Sequence, residues 1–259
     1  MNTEYESKYE VSYTELGQDL ELGLTKSIEL VQSLVTDYFA SFGSDNKTVK
    51  EKDNALWVLS KTKVHFEKFP EWRDFICGKS YTTKIKPIRV EMETIFRNEK
   101  DEYLFGAKQE ICPIDVNTRK IRKVSTIHYP KDMEKKEAVD TEAYSRLIEK
   151  FDEEDFVYEQ KIYSSDIDFS RHTNNAVYVR LIANVLSCDF LDKNQITDFE
   201  IHYINESVEG QILKVYQKDR KQEKEFLIKE KDREIARAIL KYKDKGMNKN
   251  AKNSNSWRW

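Results

Sequence analysis

The sequence predicts an α+β fold with antiparallel sheet, made twice over in one chain. Three observations carry this. Two stretches have the apolar spacing of an amphipathic helix. Each is followed by a series of strand-like runs rather than by alternating strands and helices, which favours α+β over βαβ units. The two halves also align with each other, as an internal duplication would.

The first helix is marked by Leu24, Ile28, Val31, Leu34, Val35, Tyr38, Phe39 and Phe42, and Gly43 offers its stop. Runs rich in β-branched and aromatic residues follow at 55–66, 80–95, 103–111 and 120–127. The second helix is marked by Val177, Leu181, Ile182, Val185, Leu186 and Phe190. Its strand runs are 197–204, 211–217, 224–231 and 233–243. Between the halves, 129–155 is rich in Lys and Glu, with Ala143, Leu147 and Ile148 as the apolar side of one linker helix. The expected organisation is an N-terminal unit at 1–130, a linker with a helix at 131–154, a C-terminal unit at 155–245 and a mobile tail at 246–259. An offset of 149 pairs Tyr9 with Tyr158, Asp19 with Asp168 and Gly23 with His172. Both helices begin just after this point.

Composition narrows the class. The 259 residues are 39% hydrophobic and 35% charged, a globular composition with a heavily charged surface. The net charge of −3 gives no general pull toward nucleic acid or anionic membrane. With 7 Gly and 4 Pro, Gly-rich phosphate loops and disorder are not expected within the body. Cys77, Cys112 and Cys188 are sparse and not in CxxC spacing, which suits reduced thiols and a cytoplasmic location. The polar, acidic start does not have the form of a signal peptide, and no run approaches the length of a membrane span.

One stretch carries chemistry: Ser165-Asp166-Ile167-Asp168-Phe169-Ser170-Arg171-His172-Thr173-Asn174-Asn175-Ala176-Val177-Tyr178. Side chains two apart share a face of extended chain, so Asp168, Ser170 and His172 can present a carboxylate, a hydroxyl and an imidazole to one cleft. The helix that follows would aim its free N–H groups at the same place. Asp-x-Ser before a helix is by itself a common cap. It is the whole set that suits activation of water beside a carbonyl.

Asp168-x-Ser170-x-His172-x-Asn174-Asn175-x-x-Tyr178 resembles the D-x-N-x-H-x-N-N-x-x-Y signature of acyl-acyl carrier protein thioesterases. Phe199-Glu200-Ile201-His202-Tyr203-Ile204-Asn205-Glu206-Ser207 resembles that family's strand ending in Y-x-x-E. Trp57-Val58-Leu59 with Pro70, and Asp115-Val116-Asn117-Thr118-Arg119-Lys120, resemble its W-V-L…P and D-x-x-T-R-(R/K) regions.

The resemblance implies a double hotdog: two tandem domains, each a long helix wrapped by an antiparallel sheet. It implies hydrolysis of fatty acyl-acyl carrier protein, with release of free fatty acid. Its catalytic set falls on Asp168, His172 and Glu206, with Ser170, Asn174 and Asn175 in support. Ser170 replaces the family's Asn, and Ser207 stands where plant relatives carry Cys.

The working assignment has Glu206 and His172 activate water while Asp168 orients the site. An acyl-CoA thioesterase and a non-catalytic acyl-binding protein are the alternatives. The partner is acyl carrier protein with its phosphopantetheine-linked chain. Because such carriers are acidic, the cluster Arg119, Lys120, Arg122 and Lys123 is a candidate docking face, with Lys214, Lys218, Arg220, Lys221 and Lys224 as another. The spacing of His65, His128 and His202 suggests no metal, and no cofactor is expected. Two hotdogs in one chain allow a monomer or a homodimer.

Overall fold

The structure is a computed structural model, and it describes residues 3–135 and 142–246. Its strands, in chain order, are β1 (Glu4–Glu10), β2 (Ala55–Phe66), β3 (Phe75–Lys86), β4 (Arg89–Asn98), β5 (Tyr103–Asp115), β6 (Phe156–Lys161), β7 (Asn194–Tyr203), β8 (Ile212–Arg220), β9 (Glu223–Glu230) and β10 (Arg233–Asp244). The helices are α1 (Leu24–Ser41), α2 (Asn46–Asp53), α3 (Asn175–Ala183) and α4 (Cys188–Lys193).

The strands form one sheet in the order β1-β3-β4-β5-β2-β7-β10-β9-β8-β6. Reading outward from the middle gives β2, β5, β4, β3, β1 on one side and β7, β10, β9, β8, β6 on the other. The halves therefore repeat each other strand for strand. They join where β2 and β7 run antiparallel, with Val64 opposite Phe199. One apolar core crosses that join. It takes Ile28, Val31 and Leu34 from α1, Val177, Leu181 and Ile182 from α3, and Phe66 and Ile201 from the central strands.

Helix α1 buries the periodic residues that predicted it, Leu24 through Phe39. It ends as expected at Gly43, whose φ of 69° a residue with a Cβ would adopt only with strain. There Gly43 N–H donates to Ala40 and Ser44 N–H to Phe39, the paired bonds of a Schellman stop. The helix lies close to β3 at Gly78, where a Cβ would come within 2.7 Å of Leu34 and 2.6 Å of Phe96.

Several expectations needed correction. The second helix is two helices, because Asn184 caps α3 and the Ser187 hydroxyl accepts the Phe190 N–H to start α4. Val185, Leu186 and Phe190 still pack on the core, so the apolar spacing runs on through the turn. Run 80–95 is a hairpin, turned at Pro87 and Ile88 between Lys86 and Arg89. Run 120–127 holds no strand, only a bridge at Ile121 and a 3-10 turn at Val124–Thr126. The two edge strands, β1 and β6, were not expected.

Residues 142–152 of the linker form no helix. They are held to the sheet, with the Ser145 N–H and hydroxyl both donating to the carboxylate of Glu200. Burial opposes that charge, yet donation from His202 and Ser145 holds the Glu200 carboxyl below its ordinary value. Cys188 is exposed on α4. The expected tail, beyond Gly246, lies outside the described residues.

The internal repeat also has a different register. Gly23 and Asn174 cap α1 and α3, an offset of 174 less 23, or 151. Leu20 and Arg171 both take left-handed backbone, with φ of 63° and 67°. Gly17 N–H bonds Glu21 O at 2.8 Å, as Asp168 N–H bonds His172 O at 2.9 Å. Leu22 N–H bonds Pro70 O, as Thr173 N–H bonds Ser207 O. Gly17 thus stands in the place of Asp168, Asp19 in that of Ser170, and Glu21 in that of His172. Pro70 matches Ser207, so Phe69 stands in the place of Glu206.

Candidate active site

The stretch 168–172 folds into a tight loop before α3. Asp168 N–H donates to His172 O at 2.9 Å and Arg171 N–H to Asp168 O at 3.1 Å. The loop brings the side chains of Asp168, Ser170 and His172 together by a tight turn through left-handed Arg171, not along the extended chain that the spacing suggested. Asp168 Oδ1 accepts from the Ser170 N–H at 2.8 Å and from the Ser170 hydroxyl at 2.6 Å. His172 Nδ1 lies 2.9 Å from the Ser170 carbonyl oxygen and 3.3 Å from its hydroxyl. A carbonyl can only accept, so Nδ1 carries the proton there and Nε2 is the ring nitrogen that faces the cleft.

Glu206 reaches the same place from the loop after β7. Its Oε2 lies 3.4 Å from His172 Nε2. Ser207, next in the chain, is fully buried and anchors this loop. Its hydroxyl is 2.7 Å from the Thr173 hydroxyl and 2.9 Å from the Tyr178 hydroxyl. Its carbonyl accepts the Thr173 N–H at 2.8 Å. The neighbour of Glu206 is thereby fastened to the neighbour of His172.

Asn174 is the N-cap of α3, its Oδ1 accepting the Ala176 N–H at 3.0 Å. Its own N–H is taken by Asp166 O and the Val177 N–H by Asn174 O. The Asn175 amide is left as the helix-end donor with no partner among the described residues. Asn175 lines the cleft, which holds about 350 Å³. Asp168, Ser170, His172 and Glu206 line the same cleft. Its opposite wall comes from the first half, from Asn46 and from Leu56 to Leu59 on β2. A neighbouring cavity of about 310 Å³ shares Trp57, Leu59, Asp168 and Asn175 and runs on past Val35, Phe39 and Ile111.

The basic clusters are placed less simply. Arg119 turns into the cleft and pairs with Glu206. Arg122 donates to the carbonyls of Asp53 and Thr126, while Lys120 and Lys123 are exposed. In the other cluster Lys218 pairs with Glu149 and Asp155, Arg220 with Glu149 and Glu225, and Lys224 with Asp219. The role of Arg119 beside Glu206 escaped sequence reasoning, although both lie in motifs already singled out.

The first half has a matching cleft of about 300 Å³, lined by Gly17, Asp19, Glu21 and Phe69. It has no imidazole, and a phenyl ring replaces the second carboxylate. One cleft sets an imidazole beside a carboxylate, and the other holds carboxylates without an imidazole.

Two tandem wrapped-helix units with such a cleft between them define the double-hotdog class. The chain belongs to the acyl-ACP thioesterase family. The family's N-terminal domain matches residues 2–129 and its C-terminal domain residues 149–244. Hydrolysis of fatty acyl-acyl carrier protein, which ends chain elongation and frees the fatty acid, is its activity.

Among solved structures, an acyl-ACP thioesterase from Bacteroides thetaiotaomicron superposes with a TM-score of 0.83 at 17% identity. The match covers 93% of this chain and 98% of that one. The 12:0-ACP thioesterase from Umbellularia californica gives 0.80 at 16%, covering 94% and 95%. At such identities these two show a shared fold. No curated protein matches the sequence.

Proposed function

We propose that His172 and Glu206 activate the water that attacks the thioester carbonyl, and that Asp168 orients the site through Ser170. The observation that carries this is the 3.4 Å approach of His172 Nε2 to Glu206 Oε2, at the mouth of a cleft that also holds the free Asn175 amide. With the imidazole neutral both atoms accept protons, so a water seated beside the pair can lose a proton to either as its oxygen attacks. The Asn175 N–H, at the positive end of α3, would stabilise the oxyanion. The intermediate then collapses with loss of the phosphopantetheine thiolate, which needs little assistance because it is a good leaving group.

In this reading the catalytic unit is 155–245, and the unit at 1–130 supplies the acyl pocket along Val35, Phe39, Leu59 and Ile111. Carrier docking falls to Lys120 and Lys123, which are exposed and have no ion-pair partner among the described residues. Each half already serves as the other's partner, so the chain would act as a monomer. The substrate's carrier puts it in the cytoplasm.

The test is turnover of acyl-carrier thioesters by His172→Ala and Glu206→Gln. Each is expected to lower kcat by about 10²-fold or more with melting unchanged. Near-normal hydrolysis in both would end the assignment. Matched acyl-carrier and acyl-CoA substrates separate the two thioesterase readings. Absence of thiol release from either would favour the acyl-binding alternative.

A further inference from the structure

The D-x-x-T-R segment has a physical meaning that the reaction alone does not absorb. Asp115 closes β5, and its Oδ1 accepts from the N–H of Asn117 at 3.1 Å and from the N–H and hydroxyl of Thr118 at 2.8 and 3.0 Å. Donation by Thr118 holds the Asp115 carboxyl below its ordinary value. The turn is closed by Arg119 N–H to Asp115 O at 3.0 Å and Asp115 N–H to Lys120 O at 2.9 Å. Arg119 itself takes left-handed backbone, φ 59°. Asp115 and Thr118 thus build a turn whose product is the direction of one side chain.

That side chain crosses from the first half into the cleft of the second. Its guanidinium binds Oε1 of Glu206 while Oε2 faces His172, so the two carboxylate oxygens are divided between a cation and the imidazole. Glu206 is its sole ion-pair partner among the described residues. Arg119 Nε is buried and has no partner among the described residues. The Glu206 side chain is 41% exposed, and ion pairs so placed contribute little to folding. A half-exposed carboxylate without such a partner would sample several rotamers, and a charge-assisted bond from a rigid turn selects one. In the cleft of the first half Lys245, just past the end of β10, pairs with Asp19 at 3.3 Å. A cation entering from the end of the matching strand is thus common to both clefts.

We propose that Arg119 is a positioning residue for Glu206, lent by the first half to the active site of the second. The proposal rests on the reading of Glu206 given above. Arg119 sets the rotamer that leaves one carboxylate oxygen on His172 and the attacking water.

The experiment measures kcat and KM on two substrates, an acyl-carrier thioester and the matching S-acyl-N-acetylcysteamine, which has no carrier to dock. Arg119→Asn suits the left-handed backbone and removes the charge. It should lower kcat by about 10–100-fold on both substrates by the same factor, with KM within about twofold. Arg119→Lys should recover part of that kcat, because a point charge still reaches Oε1. Arg119→Asn should add little further loss in a Glu206→Gln background.

A rise in KM confined to the carrier substrate would overturn the proposal in favour of docking. Unchanged kcat on both substrates would overturn it outright, as would losses that multiply in the double variant. If Arg119→Asn melts early, the kcat and KM of Arg119→Lys against wild type decide by the same split. A fully active Glu206→Gln would instead break the underlying reading, and the two failures are told apart by that variant.

Discussion

Glu21 occupies in the first half the position that His172 occupies in the second. The two loops share their backbone hydrogen bonds, so the first half has a carboxyl where the second half has its imidazole. Burial pushes the Glu21 carboxyl up to about 7, and the nearby Asp19 carboxylate adds to the shift.

This gives the protein a pH-dependent weakness outside the cleft proposed for catalysis. The folded pKa lies above the ordinary 4.5, so the fold favours protonated Glu21. Its contribution is complete below about pH 4.5 and is lost as pH rises through about 7. Glu21→Gln, which mimics the neutral acid, should melt like wild type at pH 5. At pH 8 it should melt about 2–4 °C higher, a gain of about 1 kcal/mol after allowance for solvent screening. Thermal unfolding of both proteins across this range checks it. Equal melting at pH 8 would contradict a strained Glu21.

Ser170 is where the sequence departs from its family's signature, and the geometry says the departure is mild. Asp168 holds Ser170 through the backbone N–H as well as the hydroxyl, and His172 Nδ1 is satisfied by the Ser170 carbonyl. Ser170→Ala should therefore lower kcat by only about 3–10-fold, whereas Asp168→Ala, which removes the carboxylate that organises the loop, should cost about 10²-fold. Steady-state kinetics on one acyl-carrier substrate decide it. Equal losses would mean that the hydroxyl acts on the substrate itself.

Gly78 tests how closely α1 must approach the sheet. An added methyl would meet Leu34 and Phe96, both buried in the core, where close packing opposes their displacement. Gly78→Ala should destabilise the protein by about 1–3 kcal/mol, seen as a lower midpoint in urea at unchanged slope. A neutral result would show that the helix can shift outward at no cost.

Legibility in the sequence followed the range of the interactions. Helix α1 and its stop were readable because the apolar stripe and Gly43 are local. Edge strands β1 and β6 were not, because EYESKYE and FVYEQK expose charged side chains and lack an apolar run. The second helix was overextended because Val185, Leu186 and Phe190 keep facing the core after the chain has turned. Asp168, Ser170 and His172 were readable as a set because one loop carries them, but Glu206 needed the motif on a distant strand. The pairing of Asp19 with Asp168 matched residue types, whereas the backbone matches Gly17 with Asp168. Arg119 looked like part of a surface cluster because nothing local reveals that a left-handed turn aims it across the join between halves.

Ser207 connects stability to chemistry, and its replacement should affect both. Its hydroxyl, carbonyl and N–H all bond to Thr173 and Tyr178, and it is fully buried. Ser207→Ala keeps the backbone bonds but leaves the Thr173 and Tyr178 hydroxyls each short of a partner, which costs about 1–2 kcal/mol. The same loss loosens the loop that holds Glu206 against His172, so kcat should fall several-fold while KM stays near wild type. Ser207→Cys places a larger sulfur in the same closed site, so it should be destabilised and yet resist alkylation while folded. Urea unfolding, kinetics and iodoacetamide labelling of the native variant test the three statements together. Rapid labelling of the cysteine would show that the site is open to solvent and that Ser207 is not the anchor described.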